Sequence, residues 1–411
     1  MDRPLCRFDG VRGTMKTRSE GQSDEARPRV LFVATVDVTI WAFLMPYMRA
    51  LRQRGWRVEA AASPSGYAER IKAEGFVVHP VSFARSPLSG ANIKGAYQLL
   101  QLLRRGHFDV LHVHTPVAGF FGRWAAHAAG TPCVVYTAHG FHFHEYGGRI
   151  SNAVFLAAER IAARWTDILV TINRDDYATA RLRMSRHRLR IRYVPGVGLD
   201  PRQYDSRLST RRPLSEHGIR LSPGQCVVAW VGEFNPGKRP LEALQVVADL
   251  RRGGLPVCLI MAGKGPLLAT TKAACADWGL QGICWFVGSI DWIPDLLAES
   301  RVFIMTSQRE GLPRSMMEAM AAGLPVVAYS IRGVRDLVQD GVNGRLVPLG
   351  ETKQMADAVA ELVLKPDMAH RMGNAGRVTI QEGFSLEAAM SQMMPVYVEA
   401  AAMAAEGRTR R

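Results

Sequence analysis

The chain has 411 residues, of which 47% are hydrophobic and 22% charged, so it holds enough apolar material for two domains with a core each. This composition excludes a disordered protein, and because no apolar run approaches the length of about 18 residues that crosses a bilayer, we expect no integral membrane protein. The formal charge of +15 favours anionic partners, namely nucleic acid, an acidic membrane leaflet or phosphorylated substrates.

The first 27 residues are polar, contain several arginines and lack the apolar centre of a signal peptide. We interpret them as a disordered basic tail, or as an extension of a chain whose true start is Met15. The six cysteines show no paired spacing, and three of them, Cys133, Cys226 and Cys258, fall inside predicted strands. This usage is typical of reduced thiols in the cytoplasm.

Short apolar runs alternate with helical patterns from Arg29 onward. Such alternation predicts strand–helix–strand crossovers and therefore a doubly wound parallel sheet. The runs predicted as strands of this first domain are 30–36, 58–61, 76–81, 109–115, 133–138 and 167–172.

The alternation stops at the turn-rich stretch PGVGLDP, residues 195–201, and a second alternating series follows. We therefore expect an α/β protein with two Rossmann-like, doubly wound parallel-sheet domains that face a central cleft. The domains are predicted at 28–205 and 206–385, and a helix in 386–411 is predicted to cross back onto the first domain. The predicted strands of the second domain are 226–231, 257–261, 283–287, 302–305 and 326–329.

The segment WAFLMPYM, residues 41–48, lies beside the basic residues Arg49, Arg52 and Arg54. Apolar residues next to a basic strip are typical of a helix that rests on an anionic membrane surface. The alternative is a helix that packs on its own sheet, and the sequence leaves both interpretations open.

Two glutamates eight residues apart mark the most informative segment, SQREGLPRSMMEAMAAGLPVVAYS, at residues 307–330. Since ligands bind at the carboxyl ends of parallel strands, we expect Glu310 in the crevice and Glu318 on the second turn of the next helix. Carboxylate oxygens match a vicinal diol such as ribose, and the free N–H groups around Leu312 and Arg314 suit a phosphate. Two arbitrary glutamates would be more typical of an ordinary helix surface and loop, but the capping residues Pro313 and Gly323 favour the ligand site here.

Two further loops follow strands of the second domain. The stretch VGEFNPGKR, residues 231–239, places Lys238 where a strand gives way to a helix, which suits a diphosphate. The stretch AGKGP, residues 262–266, contains Gly263 and Gly265, which let backbone approach a ligand but are also typical of a turn. Together with the acidic segment, these loops favour a site for an anion and a sugar.

Five histidines lie near strand ends of the first domain, three of them in the stretch YTAHGFHFHE, residues 136–145. His112 and His114 share one face of an earlier strand. The spacings fit no zinc pattern, so we expect no metal site and interpret His139 as a substrate contact in the crevice. Two residues at the end of the first strand also lie at the ligand edge, although both suit a helix N-cap: Asp37 and Thr39.

The segment from Glu310 to Glu318, followed by AMAAGLPVV, resembles the E-x7-E signature of glycosyltransferase family 4, whose members are retaining enzymes with the GT-B fold. The resemblance extends over residues 29–385. The stretches ATVD, TAHGFH, TIN and VPGVG are most similar to transferases of bacterial exopolysaccharide and capsule assembly.

This resemblance implies a role for each matching position. Lys238 would bind the donor diphosphate, Glu318 the ribose hydroxyls and Glu310 the donor sugar. Ile290 would meet the base through its backbone, and His139 would contact the sugar near the reacting carbon. The catalytic set is then His139, Glu310 and Lys238, the other donor-binding positions are Gly263, Gly265, Gly311, Leu312, Arg314 and Arg239, and the acceptor side holds Asp37, Thr39 and His142.

One position departs from the family pattern. Many members have an arginine after the glycine that opens the lysine loop, whereas this chain has Glu233. We consider Arg239 and Arg314 as substitutes for the missing cation.

The resulting hypothesis is a retaining hexosyl- or N-acetylhexosaminyltransferase that uses a nucleotide-diphosphate sugar, expected to be UDP-linked. The acceptor would be a lipid-linked saccharide in exopolysaccharide, capsule or O-antigen assembly. We expect no cofactor, no metal and no nucleic-acid partner, and a cytoplasmic protein that rests on the anionic inner face of the membrane. Two alternatives stay open: a nucleotide-sugar epimerase of the same architecture and a non-catalytic nucleic-acid-binding protein.

Overall fold

The computed structural model describes residues 27–205 and 211–409. The predictions made for the tail and for a start at Met15 therefore lie outside the described residues, as do Cys6 and the first residues of the predicted second domain.

The first domain is built on a parallel sheet of seven strands. Its strands are β1 Arg29–Val36, β2 Arg57–Ser63, β3 Val77–Pro80, β4 Val110–His114, β5 Cys133–Ala138, β6 Ile168–Thr171 and β7 Arg190–Tyr193. Their order is β3-β2-β1-β4-β5-β6-β7, so the chain starts in the middle of the sheet and builds outward in both directions.

Helices cover both faces of this sheet. Alternate residues of β1 enter different cores, because side chains of a strand point to opposite faces: Phe32 lies in one core, Leu31 in the other. The helices of the first domain are α1 Asp37–Thr39, α2 Met45–Gln53, α3 Ala68–Ala73, α4 Ala91–Gly106, α5 Pro116–Ala129, α6 Arg149–Ala162 and α7 Arg174–Met184, with a π-helical segment at Ile40–Leu44 and a 3₁₀ turn at Ala163–Trp165.

The second domain repeats this design with six parallel strands around one core. Its strands, in the order β10-β9-β8-β11-β12-β13, are β8 Cys226–Val231, β9 Val257–Ala262, β10 Cys284–Gly288, β11 Ser300–Met305, β12 Val326–Tyr329 and β13 Gly344–Val347. Its helices are α8 Pro240–Arg252, α9 Leu268–Asp277, α10 Ile293–Ala298, α11 Arg314–Ala321, α12 Thr352–Leu364 and α13 Pro366–Thr379, with 3₁₀ turns at Pro201–Tyr204 and Leu214–His217.

The predicted fold class is confirmed, since both domains are doubly wound parallel sheets. The sequence prediction missed the edge strands β7 and β13. In β7, RIRY, charged residues alternate with apolar ones, and β13 has only four residues, so neither forms the apolar run that marks a buried strand.

The last helix, α14 Leu386–Thr409, follows a π-helical segment at Ile380–Phe384 and packs against the first domain. Tyr397 and Ala400 are fully buried in the core beside β1, and Arg408 forms an ion pair with Asp109 at 2.7 Å. The chain thus returns to its first domain and ties the two sheets together.

The segment at residues 41–48 packs on its own sheet. Leu44, Met45, Tyr47 and Met48 are buried, and the Tyr47 hydroxyl donates to the Val197 carbonyl at 3.0 Å. The structure thus favours the packing alternative over a membrane-surface helix at this position. Within residues 27–205 and 211–409, helices that combine the length and hydropathy of a membrane span are absent.

Candidate active site

A cavity of about 660 Å³ lies between the two domains at the carboxyl ends of their strands. Its walls come from both sides: His139 and His142 follow β5 of the first domain, whereas Lys238 follows β8 and Glu310 follows β11 of the second. Gly311 also lines it. Because β8 and β11 are neighbours in the sheet, their following loops meet at one edge.

Lys238 is held by the loop that joins β8 to α8. Its backbone N–H donates to the side-chain oxygen of Asn235 at 3.0 Å, and its carbonyl accepts from the Thr306 hydroxyl at 2.8 Å. The Lys238 ammonium forms an ion pair with the Glu310 carboxylate, and both side chains are largely buried. A cation and an acid are therefore joined at the cavity.

Glu318 lies on the second turn of α11, outside the cavity lining. Its Oε1 accepts from the Tyr204 hydroxyl at 2.8 Å and from Arg314 Nε at 2.9 Å. In the part of the chain that the structure describes, these are its hydrogen-bond partners, so Oε2 keeps its capacity to accept. The guanidinium of Arg314 also lies over the Phe43 ring at 5.4 Å, which ties α11 to the first domain.

Two glycines, one from each domain, bring the domains into backbone contact. A Cβ on Gly311 would overlap the carbonyl oxygen of His139; within the second domain, one on Gly333 would overlap the carbonyl of Gly311. Gly140 has a φ of +110°, and a Cβ there would lie 2.8 Å from the Cα of Gly311. These positions have no room for a side chain, so the domains are in a closed arrangement around the cavity.

Arg332 forms a buried clamp across the same interface, and the sequence analysis missed it. Its guanidinium donates to the Asp176 carboxylate at 2.7 Å and to the carbonyls of Phe141 and Phe143 at 2.6 and 3.0 Å. Burial raises the pKa of Asp176, which the Arg332 cation opposes. The ion pair joins the loop after β12 to the histidine stretch and α7.

His139 is a neutral ring at pH 7, because burial lowers its pKa to about 4. Its Nε2 lies 3.0 Å from His114 Nδ1, so one of these two nitrogens donates a hydrogen bond to the other. Deeper in the domain, His112 contacts the Tyr397 hydroxyl at 2.9 Å and the Thr137 hydroxyl at 2.8 Å. The orientation of His139 is therefore linked to buried groups behind it.

Gly263 and Gly265 approach a neighbouring loop and leave the cavity lining to other residues. Their φ angles are +142° and +155°, and a Cβ on Gly265 would lie 2.5 Å from the Phe234 carbonyl oxygen. A Cβ on Gly263 would overlap the carbonyl of Gly232. The two glycines thus bring the loop at 262–266 against the lysine loop at 231–239. This contact between two loops of the second domain fixes the shape of the lysine loop.

Comparisons with known proteins decide the family. Residues 39–196 match the family model described as a glycosyl transferase 4-like domain, and residues 216–379 match the one described as glycosyl transferases group 1. EpsD of Bacillus subtilis (strain 168), which bears the name of a glycosyltransferase, is 30% identical over 90% of this chain and 96% of its own. The chain belongs to glycosyltransferase family 4. The glycosyltransferase is also 26% identical, over 75% of its length and 80% of the relative's, to the Escherichia coli UDP-Gal:alpha-D-GlcNAc-diphosphoundecaprenol alpha-1,3-galactosyltransferase.

Solved structures share the fold of this glycosyltransferase. HepE of Anabaena, crystallised with UDP-glucose, superposes with a TM-score of 0.74 at 17% identity, over 90% of this chain and 99% of its own. This likeness supports the GT-B arrangement of the two domains.

Two acceptor-side candidates of the glycosyltransferase lie away from the cavity. Asp37 is fully buried and accepts from the backbone N–H groups of Ser65, Tyr67 and Ala68 at 2.9 to 3.1 Å. Although burial opposes it, these hydrogen bonds lower the pKa of Asp37, which caps the start of α3. Thr39 lies half-buried in α1, outside the cavity lining.

The remaining donor-side candidates surround the lysine loop and α11. Arg239 forms an ion pair with Glu242 at 2.7 Å, Leu312 packs against Gly196, and Ile290 packs against the core of the second domain. Glu233 is exposed and accepts from Asn235 at 3.0 Å. Since Arg239 and Arg314 are both paired with glutamates, neither is a free substitute for the missing arginine.

A further cation, Arg309, lies at the cavity beside Glu310. It lines the cavity, is exposed to it, and forms no ion pair with any residue in 27–205 or 211–409. Partial desolvation and the nearby Arg332 cation lower the pKa of Arg309. Its position next to Glu310 in sequence was the one available signal, and the sequence analysis did not use it.

Proposed function

We propose that this glycosyltransferase moves a sugar from a UDP-sugar to a lipid-linked saccharide, with retention of configuration at the transferred carbon. The observation that carries the proposal is the Lys238–Glu310 pair at the interdomain cavity, opposite His139. A lysine and an acid at the carboxyl edge of one sheet suit the two ends of a sugar diphosphate.

Departure of the diphosphate places negative charge on the leaving group. Lys238 lies at the start of α8, where its ammonium and the helix N-terminus both stabilise that charge. This arrangement supports transfer that needs no metal, and we propose that none is used. UDP is the proposed nucleotide because the names of the Escherichia coli relative and the HepE complex both contain it.

Arrival of the diphosphate gives Lys238 a second anionic partner and frees Glu310 to accept from a sugar hydroxyl. A carboxylate beside the reacting carbon also offsets the positive charge that builds on the sugar. His139 faces them from the other domain as a neutral ring that can donate or accept a hydrogen bond. Closure of the domains keeps water from the reacting centre.

Glu318 is the proposed ribose residue. Tyr204 and Arg314 hold Oε1, which fixes the carboxylate and leaves Oε2 to accept from a hydroxyl of the nucleoside.

The acceptor is proposed to be a lipid-linked saccharide of exopolysaccharide, capsule or O-antigen assembly at the cytoplasmic face of the membrane. The support is the Escherichia coli relative, whose name specifies a diphosphoundecaprenol acceptor, and the similarity to EpsD.

The test is transfer from a panel of nucleotide sugars to lipid-linked saccharides, read by mass spectrometry of the product. The proposal expects one UDP-sugar to give a product one sugar longer, with UDP released. Conversion of a UDP-sugar without acceptor would indicate an epimerase, and no reaction with any donor across the panel would overturn the proposal.

A further inference from the structure

Arg309 stands on the side of the cavity that faces the first domain. The pKa values of His142 and His144 are lowered, chiefly by burial and then by the positive charges of Arg309 and Arg332. The pKa of His142 falls to about 4. Two arginines and two histidines thus surround a space lined by no described acid other than Glu310, which Lys238 already holds.

The start of α6 borders the same space. Asn152 of its first turn exchanges hydrogen bonds with the backbone of His144, at 2.8 Å to the carbonyl and 3.2 Å from the N–H. Phe155 lies 5.2 Å from the His142 ring. The Nδ1 atom of His144 is buried without a hydrogen-bond partner in the described part of the chain. His144 Nδ1 thus keeps hydrogen-bonding capacity that a ligand beside Arg309 can use.

An apolar stripe runs along the outer face of α6, away from the cavity. Ile150 is 83% exposed, Val154 61% and Ile161 44%. Spacings of four and seven residues place the three side chains on one face of the helix. The stripe begins one residue after Arg149, and Arg160 flanks its other end.

We propose that the acceptor is a lipid diphosphate whose phosphates bind beside Arg309, His142 and His144, and whose hydrocarbon chain lies along Ile150 and Val154 of α6. The inference rests on the proposed function. The Arg309 guanidinium and the unpartnered Nδ1 of His144 match the head group, and the exposed stripe matches the chain. Helix α6 begins at the cavity and carries the stripe away from it. The polar cavity residues and the apolar stripe therefore follow one another as the head group and the hydrocarbon chain do in a lipid.

The first experiment compares two acceptors that carry the same saccharide, one on a polyprenyl diphosphate and one on an octyl glycoside. Loss of a charge-assisted contact to phosphate typically reduces binding about 10- to 100-fold. Arg309→Gln is expected to lower kcat/KM for the diphosphate acceptor by about that factor and to leave the octyl acceptor unchanged within about twofold. Arg309→Lys restores most of the loss, and Arg105→Gln, an exposed arginine of α4, is the matched control.

The second experiment tests the stripe. Ile150→Ser combined with Val154→Ser is expected to raise KM about tenfold for a long-chain acceptor and to leave a short-chain diphosphate acceptor unchanged, because less apolar surface is covered. Leu364→Ser, at an equally exposed apolar side chain of α12, is the control. Sedimentation and thermal melting check that the variants stay folded and keep the oligomeric state.

Three results would overturn the inference. Arg309→Gln could weaken UDP binding in calorimetry as much as it weakens transfer, which would assign Arg309 to the donor. Arg309→Gln could lower kcat/KM equally for both acceptors. The double serine variant of the stripe could change the oligomeric state and leave KM independent of the acceptor's chain length. If no acceptor of either kind is used by the parent, the proposed function fails first.

Discussion

The ammonium of Lys238 and the carboxylate of Glu310 form an ion pair at the interdomain cavity although 72 residues separate them in the chain. Neighbouring strands β8 and β11 bring them together. Since each is the other's ion-pair partner, removing one changes the charge that the other presents to a ligand.

Replacing Lys238 removes the cation that we assign to the leaving diphosphate. Lys238→Ala is expected to lower kcat about 100- to 1,000-fold, because this group acts where charge develops. Glu310→Gln is expected to slow transfer as well but to bind UDP at least as tightly as the parent, since the lysine is no longer neutralised. Turnover and calorimetry with UDP check both, and weaker UDP binding by Glu310→Gln would contradict the account.

Replacing Glu318 tests the ribose assignment. Glu318→Ala is expected to weaken UDP binding about 10- to 100-fold while kcat at saturating donor changes little. Tyr204→Phe removes one hydrogen bond that orients the carboxylate and should give a smaller loss. Uridine binding by calorimetry provides the measurement, and an Ala variant that binds uridine like the parent would refute the role.

Gly311 tests whether the closed arrangement is the active one. Gly311→Ala would place a Cβ against His139 and hold the domains apart, and misplacement of the reacting groups by about 1 Å costs about 100-fold in rate. UDP binding by the second domain should persist. Gly90→Ala is the control, because nothing lies within 4 Å of the added Cβ. Small-angle scattering should show a larger radius of gyration for the Gly311 variant alone.

Arg332 offers a comparison between a buried and an exposed interdomain ion pair. Arg332→Ala leaves Asp176 buried without its cation and should cost about 3 to 5 kcal/mol. Arg335→Ala breaks exposed pairs with Glu145 and Asp175 and should cost less than about 1 kcal/mol. Urea denaturation of both variants measures the difference, and equal losses would show that burial does not set the strength of the clamp.

The buried histidines make stability depend on pH. His112 and His139 have pKa values of about 3 and 4 in the folded protein, below the ordinary value of 6.5. Between the lowered and the ordinary value, the unfolded chain therefore binds more protons at each ring than the folded chain does. Their contribution is complete above pH 6.5 and falls as pH decreases, by about 1.4 kcal/mol per pH unit for each ring. His112→Asn cannot titrate and should show a shallower fall of unfolding free energy from pH 7 to pH 5. An unchanged slope would contradict this assignment.

Much of the architecture follows from the sequence because parallel strands between two helix layers are apolar throughout. Strand β5 at 133–138 and strand β8 at 226–231 coincide with their predicted bounds. Of the four edge strands, β7 and β13 lack that signal, and β7 carries arginines at alternate positions. Hydrophobic pattern thus predicts the buried centre of a sheet better than its edges.

Some residues of the candidate site could likewise be placed from the sequence, and others could not. Residues in the loops that follow two neighbouring strands, such as Lys238 and Glu310, could be placed at one edge of the sheet from strand order alone. Arg332 could not, because its partners lie in the other domain and depend on how the domains close. Gly263 shows a further limit, since a positive φ is needed equally for a ligand and for the neighbouring loop that it contacts here.

The donor site is best tested by a crystal structure with UDP bound. The diphosphate is expected beside Lys238 at the start of α8, with a ribose hydroxyl donating to Glu318 Oε2. A nucleotide bound away from both side chains, in a crystal of the active enzyme, would contradict this expectation.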